Sequence, residues 1–151
     1  MTVEPSVETV IARLLPAGSE PRVLAVIWAT VDVDRVLAGI GLAAEALPDD
    51  SLLGAAVRLA RPLEGESIAL LEPTTEGRIA ATLAQSGEGP AGQYVLATGG
   101  LSSLVVRAAA AGIAIKRADD GPFGPSALVL GYPPVGPHIV LVAGPAGTIE
   151  R

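Results

Sequence analysis

The chemistry open to this 151-residue chain is narrow, because it carries no cysteine and a single histidine, His138. The missing thiols exclude thiolate nucleophiles, disulfides and zinc–thiolate centres. The lone imidazole excludes any site that needs two from one chain. His138 follows Pro137 and opens the apolar run His138-Ile-Val-Leu-Val142. An imidazole there can serve as a general acid or base near neutral pH, or donate to a substrate oxygen. It can equally be a strand-end residue bonded to backbone or water. Gln93 opens a second apolar run and offers an amide to a carbonyl group, although a polar residue at a strand start needs no such role. Arg58, between Ala56-Val57 and Leu59-Ala60, could steer a carboxylate or phosphate or lie in solvent on the far face. Glu66 and Glu72 border a strand. Glu72 reads as a cap for the helix that follows it, and Asp32 and Asp34 as helix-start residues. Gly87-Glu-Gly89 and Gly121-Pro-Phe-Gly124 lack the strand-to-helix setting of a phosphate loop and read as turns.

Composition removes several partner classes. The net charge is −6, and the one basic pair, Lys116-Arg117, is followed by Asp119-Asp120. The average field therefore repels a phosphate backbone. Only Trp28, Tyr94, Phe123 and Tyr132 carry rings, too few for a base-stacking platform. Half of the residues are hydrophobic, enough to bury one core in a chain of this length. The first residues, Met1 to Pro21, have neither a basic start nor a long apolar run, and no stretch reaches the length needed to span a bilayer. A cytoplasmic protein with no membrane or nucleic-acid partner is expected.

The elements that must position these residues follow from periodicity and punctuation. Val7, Val10, Ile11, Leu14 and Leu15 share a helical face, with Ser6 as its cap. Residues 1–21 form this helix and a linker. Val23 to Val31 reads as a strand, ended by Asp32, which caps a helix over Val33 to Ile40 that Gly39 and Gly41 close. Pro48-Asp49-Asp50 reads as a turn, and Leu53 to Arg61 and Ser67 to Leu71 as two strands. Thr74 or Thr75 is placed to cap a third helix that buries Ile79, Ala80 and Leu83. The pattern then recurs: a strand over Gln93 to Ala97, a helix over Ser102 to Ala111 ended by Gly112, and strands over Ile113 to Arg117, Ser126 to Gly131 and His138 to Ala143. A shift of about 68 residues lays Ala25 on Gln93. Periodicity alone leaves a generic α+β sandwich as an equal alternative.

A resemblance decides between them. Leu70-Leu-Glu-Pro73, the Ile79–Leu83 stripe and Gly87-Glu-Gly89 resemble the central segment of methylmalonyl-CoA epimerase-like members of the vicinal oxygen chelate superfamily, which also includes glyoxalase I. Val31-Asp-Val-Asp34 is similar to the family's first strand-to-helix turn, and Tyr132-Pro133 with His138-Ile-Val-Leu-Val142 to its last hairpin. The resemblance implies an α+β fold in residues 22–151, of the glyoxalase/bleomycin resistance/dioxygenase type. Module one (22–72) and module two (92–143) would be βαβββ units, joined by a helix over 74–87, forming a curved, open sheet around a cleft. It also implies four metal-ligand positions, and these fall on Ala25, Ala69, Gln93 (or Gly92) and Val140. One amide cannot hold a hard divalent cation, so no metal and no other cofactor is expected.

Strand alternation then places Ala25, Ile27, Ala29, Ala69, Leu71, Gln93, Val95, His138 and Val140 on the cleft face, with Trp28 on the opposite face under a helix. His138 is the catalytic candidate. Ala25, Ile27, Ala69, Leu71, Gln93, Val95, Val140 and Arg58 are the ligand-binding candidates. The expected function is metal-independent handling of a hydrophobic small molecule, as an isomerase, epimerase or cyclase, or as a non-catalytic binding protein. Exposed strand edges lead us to expect a homodimer.

Overall fold

The computed structural model describes residues 7–16, 18, 21–97, 99–130 and 137–143. The expected Ser6 cap, the Val7 side chain and Tyr132-Pro133 lie outside what is described. The elements run α1 (Val7–Leu14), β1 (Arg22–Ala29), α2 (Val33–Ile40), β2 (Ala44–Asp50), β3 (Ala55–Ala60), β4 (Ile68–Pro73), α3 (Arg78–Ser86), β5 (Gly89–Leu96), α4 (Gly100–Ala111), β6 (Ile115–Ala118), β7 (Ser126–Val129) and β8 (His138–Val142). They form one curled eight-stranded sheet ordered β2-β3-β4-β1-β5-β8-β7-β6. Each half is a βαβββ unit, and the halves meet where β1 and β5 pair antiparallel.

Three helices, α1, α2 and α4, cover the outer face of the sheet. Val33 and Leu37 of α2 pack on Ala60 and Leu70 in module one. In module two, Leu104 and Ala108 of α4, with Val10, Ile11 and Leu14 of α1, pack on Val95, Ile139 and Leu141. Asp32 caps α2 as expected, its Oδ1 accepting from the Arg35 amide at 3.2 Å, and Gly41 closes the helix in the left-handed region at φ 72°.

Four expectations are corrected. Pro48-Asp49-Asp50 is no turn but the end of the edge strand β2. Its pairing with β3 shifts register between Leu47 and Asp50, so Pro48, which has no N–H to give, sits where the ladder is interrupted. Neither Thr74 nor Thr75 caps α3. Its N-cap is Gly77 without a side-chain bond, and the Leu53 carbonyl accepts from the Ile79 amide at 3.1 Å instead. Ala80 is only half-buried, and the side chains that α3 turns inward are Ile79 and Thr82.

The fourth correction concerns the repeat. A shift of 67 residues carries Arg22 onto Gly89 and Val33 onto Gly100, the first residues of β1 and β5, α2 and α4. Ala25 therefore matches Gly92, not Gln93. The one-residue error follows from a strand seam whose register shifts twice, between Val23 and Ala25 and between Ile27 and Trp28. No sequence pattern announced those irregularities.

Candidate functional site

The inner face of the sheet is the face that α1, α2 and α4 leave free, and its floor is apolar. Ala25, Ile27, Ala69, Leu71 and Val140 all lie in one buried cluster there, together with Tyr94 and Ile79. Five of the expected ligand-binding positions thus do share a face. Leu24, Leu47, Leu83, Ala118 and Phe123, each half-buried, pack against this cluster.

Three expected residues lie elsewhere. Val95 is fully buried in the outer-face cluster under α4. Gln93 is on that outer side as well, half-buried and opposite Val26 in the ladder. A one-residue change of register flips every side chain of a strand, so Tyr94 rather than Gln93 faces inward. Arg58 is an outer-face residue of module one, ion-paired to Asp34 at 3.1 Å with 40% of its side chain exposed. Trp28 does point outward, and it lines a shallow apolar pocket of about 110 Å³ with Val36, Ile40, Ile68 and Leu70.

Two buried polar pairs stand on the inner face. Tyr94 Oη donates to Asp50 Oδ2 at 2.6 Å, and both residues are at most 2% exposed. Asp50 comes from the far end of β2. Its other oxygen, Oδ1, accepts from the Leu53 amide at 2.9 Å, fixing the turn that carries Leu52 and Leu53 into the core. Burial pushes the Asp50 carboxyl upward against these hydrogen bonds, and burial beside that carboxyl raises the Tyr94 phenol further above its ordinary range. The Tyr94 ring lies 4.9 Å from that of Phe123, tilted by 59°.

The second pair is His138 with Thr82 of α3, Nε2 to Oγ1 at 2.8 Å. Thr82 Oγ1 also lies 2.9 Å from the Arg78 carbonyl, to which it can donate. His138 Nδ1 is buried and without a hydrogen-bond partner. Burial, and secondarily the Arg78 charge, pull the His138 pKa down to about 4, so the imidazole is neutral at physiological pH.

A third polar cluster, invisible to sequence reasoning, clamps the β1–α2 turn. Glu88 Oε2 accepts from Thr30 Oγ1 at 2.8 Å and from the Val31 amide at 2.9 Å, and Arg35 Nη2 reaches the same carboxylate at 2.6 Å. With Arg35 as the main cause, the Glu88 carboxyl falls to about 2. Glu72 Oε1 accepts from the Val33 amide at 3.0 Å, so it caps α2 rather than the helix that follows it in sequence. A short sequence gap suggested the wrong partner; the parallel pairing of β4 with β1 supplied the right one.

A metal centre at the expected ligand positions does not fit this donor set. Ala25, Ala69 and Val140 are buried aliphatic residues, and the fourth position, Gly92, has no side chain. Among the described residues no group of three or more His, Asp or Glu side chains converges on a point. No helix among them is long and apolar enough to cross a membrane.

Comparison with known proteins yields fold likeness only. No family model matches the chain, and no curated protein matches it. Among solved structures, methylmalonyl-CoA epimerase from Mycobacterium tuberculosis aligns at 22% identity and a TM-score of 0.67, covering 89% of this chain and 95% of that one. A substituted Streptomyces coelicolor methylmalonyl-CoA epimerase in complex with 2-nitronate-propionyl-CoA aligns at 18% identity and a TM-score of 0.69, covering 88% and 99%. A hypothetical protein from Bacillus halodurans C-125 gives 17% and 0.66, covering 88% and 100%. Two βαβββ modules joined edge to edge at β1 and β5, with methylmalonyl-CoA epimerases as structural neighbours, establish that this chain has the vicinal oxygen chelate fold.

Proposed function

We propose that this protein binds a small, largely apolar molecule on the inner face of its sheet without a metal ion. The observation that carries this reading is the set of half-buried apolar side chains, Leu24, Leu47, Leu83, Ala118 and Phe123, packed against the buried apolar cluster, in a fold that a structural neighbour shows in complex with 2-nitronate-propionyl-CoA. Apolar walls with a few fixed polar groups suit such a ligand. His138 is better suited to accept a hydrogen bond than to move a proton. A base with a pKa near 4 has little driving force to take a proton from carbon at neutral pH.

Native mass spectrometry of the purified protein, followed by titration with the apolar fluorophore 8-anilinonaphthalene-1-sulfonate, tests the proposal. We expect a retained small molecule or saturable probe binding that Leu83→Gln weakens and Trp28→Gln leaves intact. Binding that follows Trp28 instead would move the site to the outer face and end this reading. The likeness to epimerases favours one second reading, metal-free isomerisation. That reading requires a His138→Ala variant to keep ligand affinity and lose turnover.

A further inference from the structure

The register places Tyr94 between two of the expected metal-ligand positions. Ala25 of β1 is its neighbour on one side and Val140 of β8 its neighbour on the other. Both neighbours are fully buried beside it, as is Ala69, in the same cluster. Small and medium side chains at these positions flank one large ring within the same buried cluster. The ring does not end in an apolar dead end. Its hydroxyl reaches Asp50 at 2.6 Å, across the seam and into the other module. Asp50 is itself held by the Leu53 amide, and the Gly54 amide donates to the Asp50 carbonyl at 2.8 Å.

That turn has little freedom. A Cβ at Gly54 would come within 2.5 Å of Thr75 Oγ1, and Gly54 already lies against Gly77 at the start of α3. The acceptor of the Tyr94 hydroxyl therefore belongs to a packed corner of module one, not to a loose loop.

We propose that the Tyr94–Asp50 hydrogen bond pins module two to module one in the place, and in the stead, of a divalent ion bridging the two. A bridging ion ties modules through donor atoms from both. Here one buried hydroxyl–carboxylate bond ties them, with ring packing filling the remaining volume. The inner face is thereby closed to a metal by occupancy as well as by the loss of donors. This inference does not depend on which ligand, if any, the protein binds.

Tyr94→Phe keeps the ring and removes only the pin, leaving Asp50 Oδ2 buried and unpaired. Asp50→Asn keeps a polar group for both Tyr94 and the Leu53 amide. We expect the Tm of Tyr94→Phe to fall by roughly 4–8 °C, and that of Asp50→Asn to fall less. Amide hydrogen exchange along the β1–β5 seam should quicken in Tyr94→Phe more than exchange within β3 or β7. Neither EDTA nor zinc, nickel or magnesium chloride should change the wild-type Tm, and elemental analysis should find less than one ion per ten chains. A wild-type Tm raised by one of these ions, or a stoichiometric ion after purification, overturns the proposal. So does a Tyr94→Phe protein whose Tm and seam exchange match the wild type. A variant destabilised evenly, with no excess at the seam, would show a core hydrogen bond but no pin between modules.

Discussion

Ile27 and Tyr94 hold the same place in the two modules, related by the shift that carries β1 onto β5, and they do different work. Both are fully buried on the inner face. Ile27 contributes packing alone, whereas Tyr94 contributes packing, an aromatic contact with Phe123 and the hydroxyl that reaches Asp50. The same asymmetry holds more widely. Module one offers aliphatic residues at Ala25, Ala69 and Leu71, and module two brings Tyr94 and His138. Two copies of one fold can therefore diverge at matched strand positions, module two placing polar rings where module one keeps aliphatic side chains, while module one supplies the Asp50 carboxylate that receives the Tyr94 hydroxyl.

The sharpest way to break this comparison is truncation at the paired positions. Tyr94→Ala should cost about 3–5 kcal/mol in urea denaturation, and Ile27→Val only about 0.5–1.5 kcal/mol. Equal costs would mean that the modules share the load after all. The next effect is the pH dependence at His138. Its folded pKa near 4 lies below the ordinary 6.5, so the unfolded chain binds the proton more tightly. Stability should then be full above pH 6.5 and decline as the pH falls towards 4, by at most about 3 kcal/mol. His138→Gln should flatten that slope.

Smaller effects concern the surface of module one. Glu88, with its carboxyl at about 2, contributes stability that is present above its ordinary pKa of 4.5 and lost as the pH falls through 2. The gap in urea midpoint between wild type and Glu88→Gln should therefore narrow as the pH drops below 4.5, and narrow again in high salt, because Arg35 is half-exposed. Arg58→Ala should change stability by less than about 0.5 kcal/mol, since its partner Asp34 is 81% exposed. It should also leave probe binding on the inner face untouched. An Arg58 effect on binding would place the ligand on the outer face.

Much of the fold was legible because punctuation and periodicity are local. Val33–Ile40 was bounded by Asp32 and Gly41, and α4 was closed by Gly112, residues whose caps the structure contains. The apolar floor at Ala25, Ile27, Ala69 and Val140 was legible through strand alternation. Beyond a bulge that alternation gives the wrong parity, which is why Gln93 and Val95 were expected on the inner face and Tyr94 was not. The edge strand β2 was hidden because Pro48-Asp49-Asp50 has turn composition, and pairing with β3 outweighed it.

Residue types alone set the inventory: one imidazole, no thiol, no donor at Ala25, Ala69 or Val140, and a chain patterned for two similar modules. These are properties of residue type and spacing, and no packing can add a ligand atom to an alanine. Which partners met depended on how the sheet assembled. Tyr94 reached Asp50 from 44 residues away, Glu88 reached Val31 from 57 away, and His138 reached Thr82 from 56 away. Each of those bonds depends on how two distant segments register against one sheet, and register is set by the whole ladder at once rather than by any window of the chain.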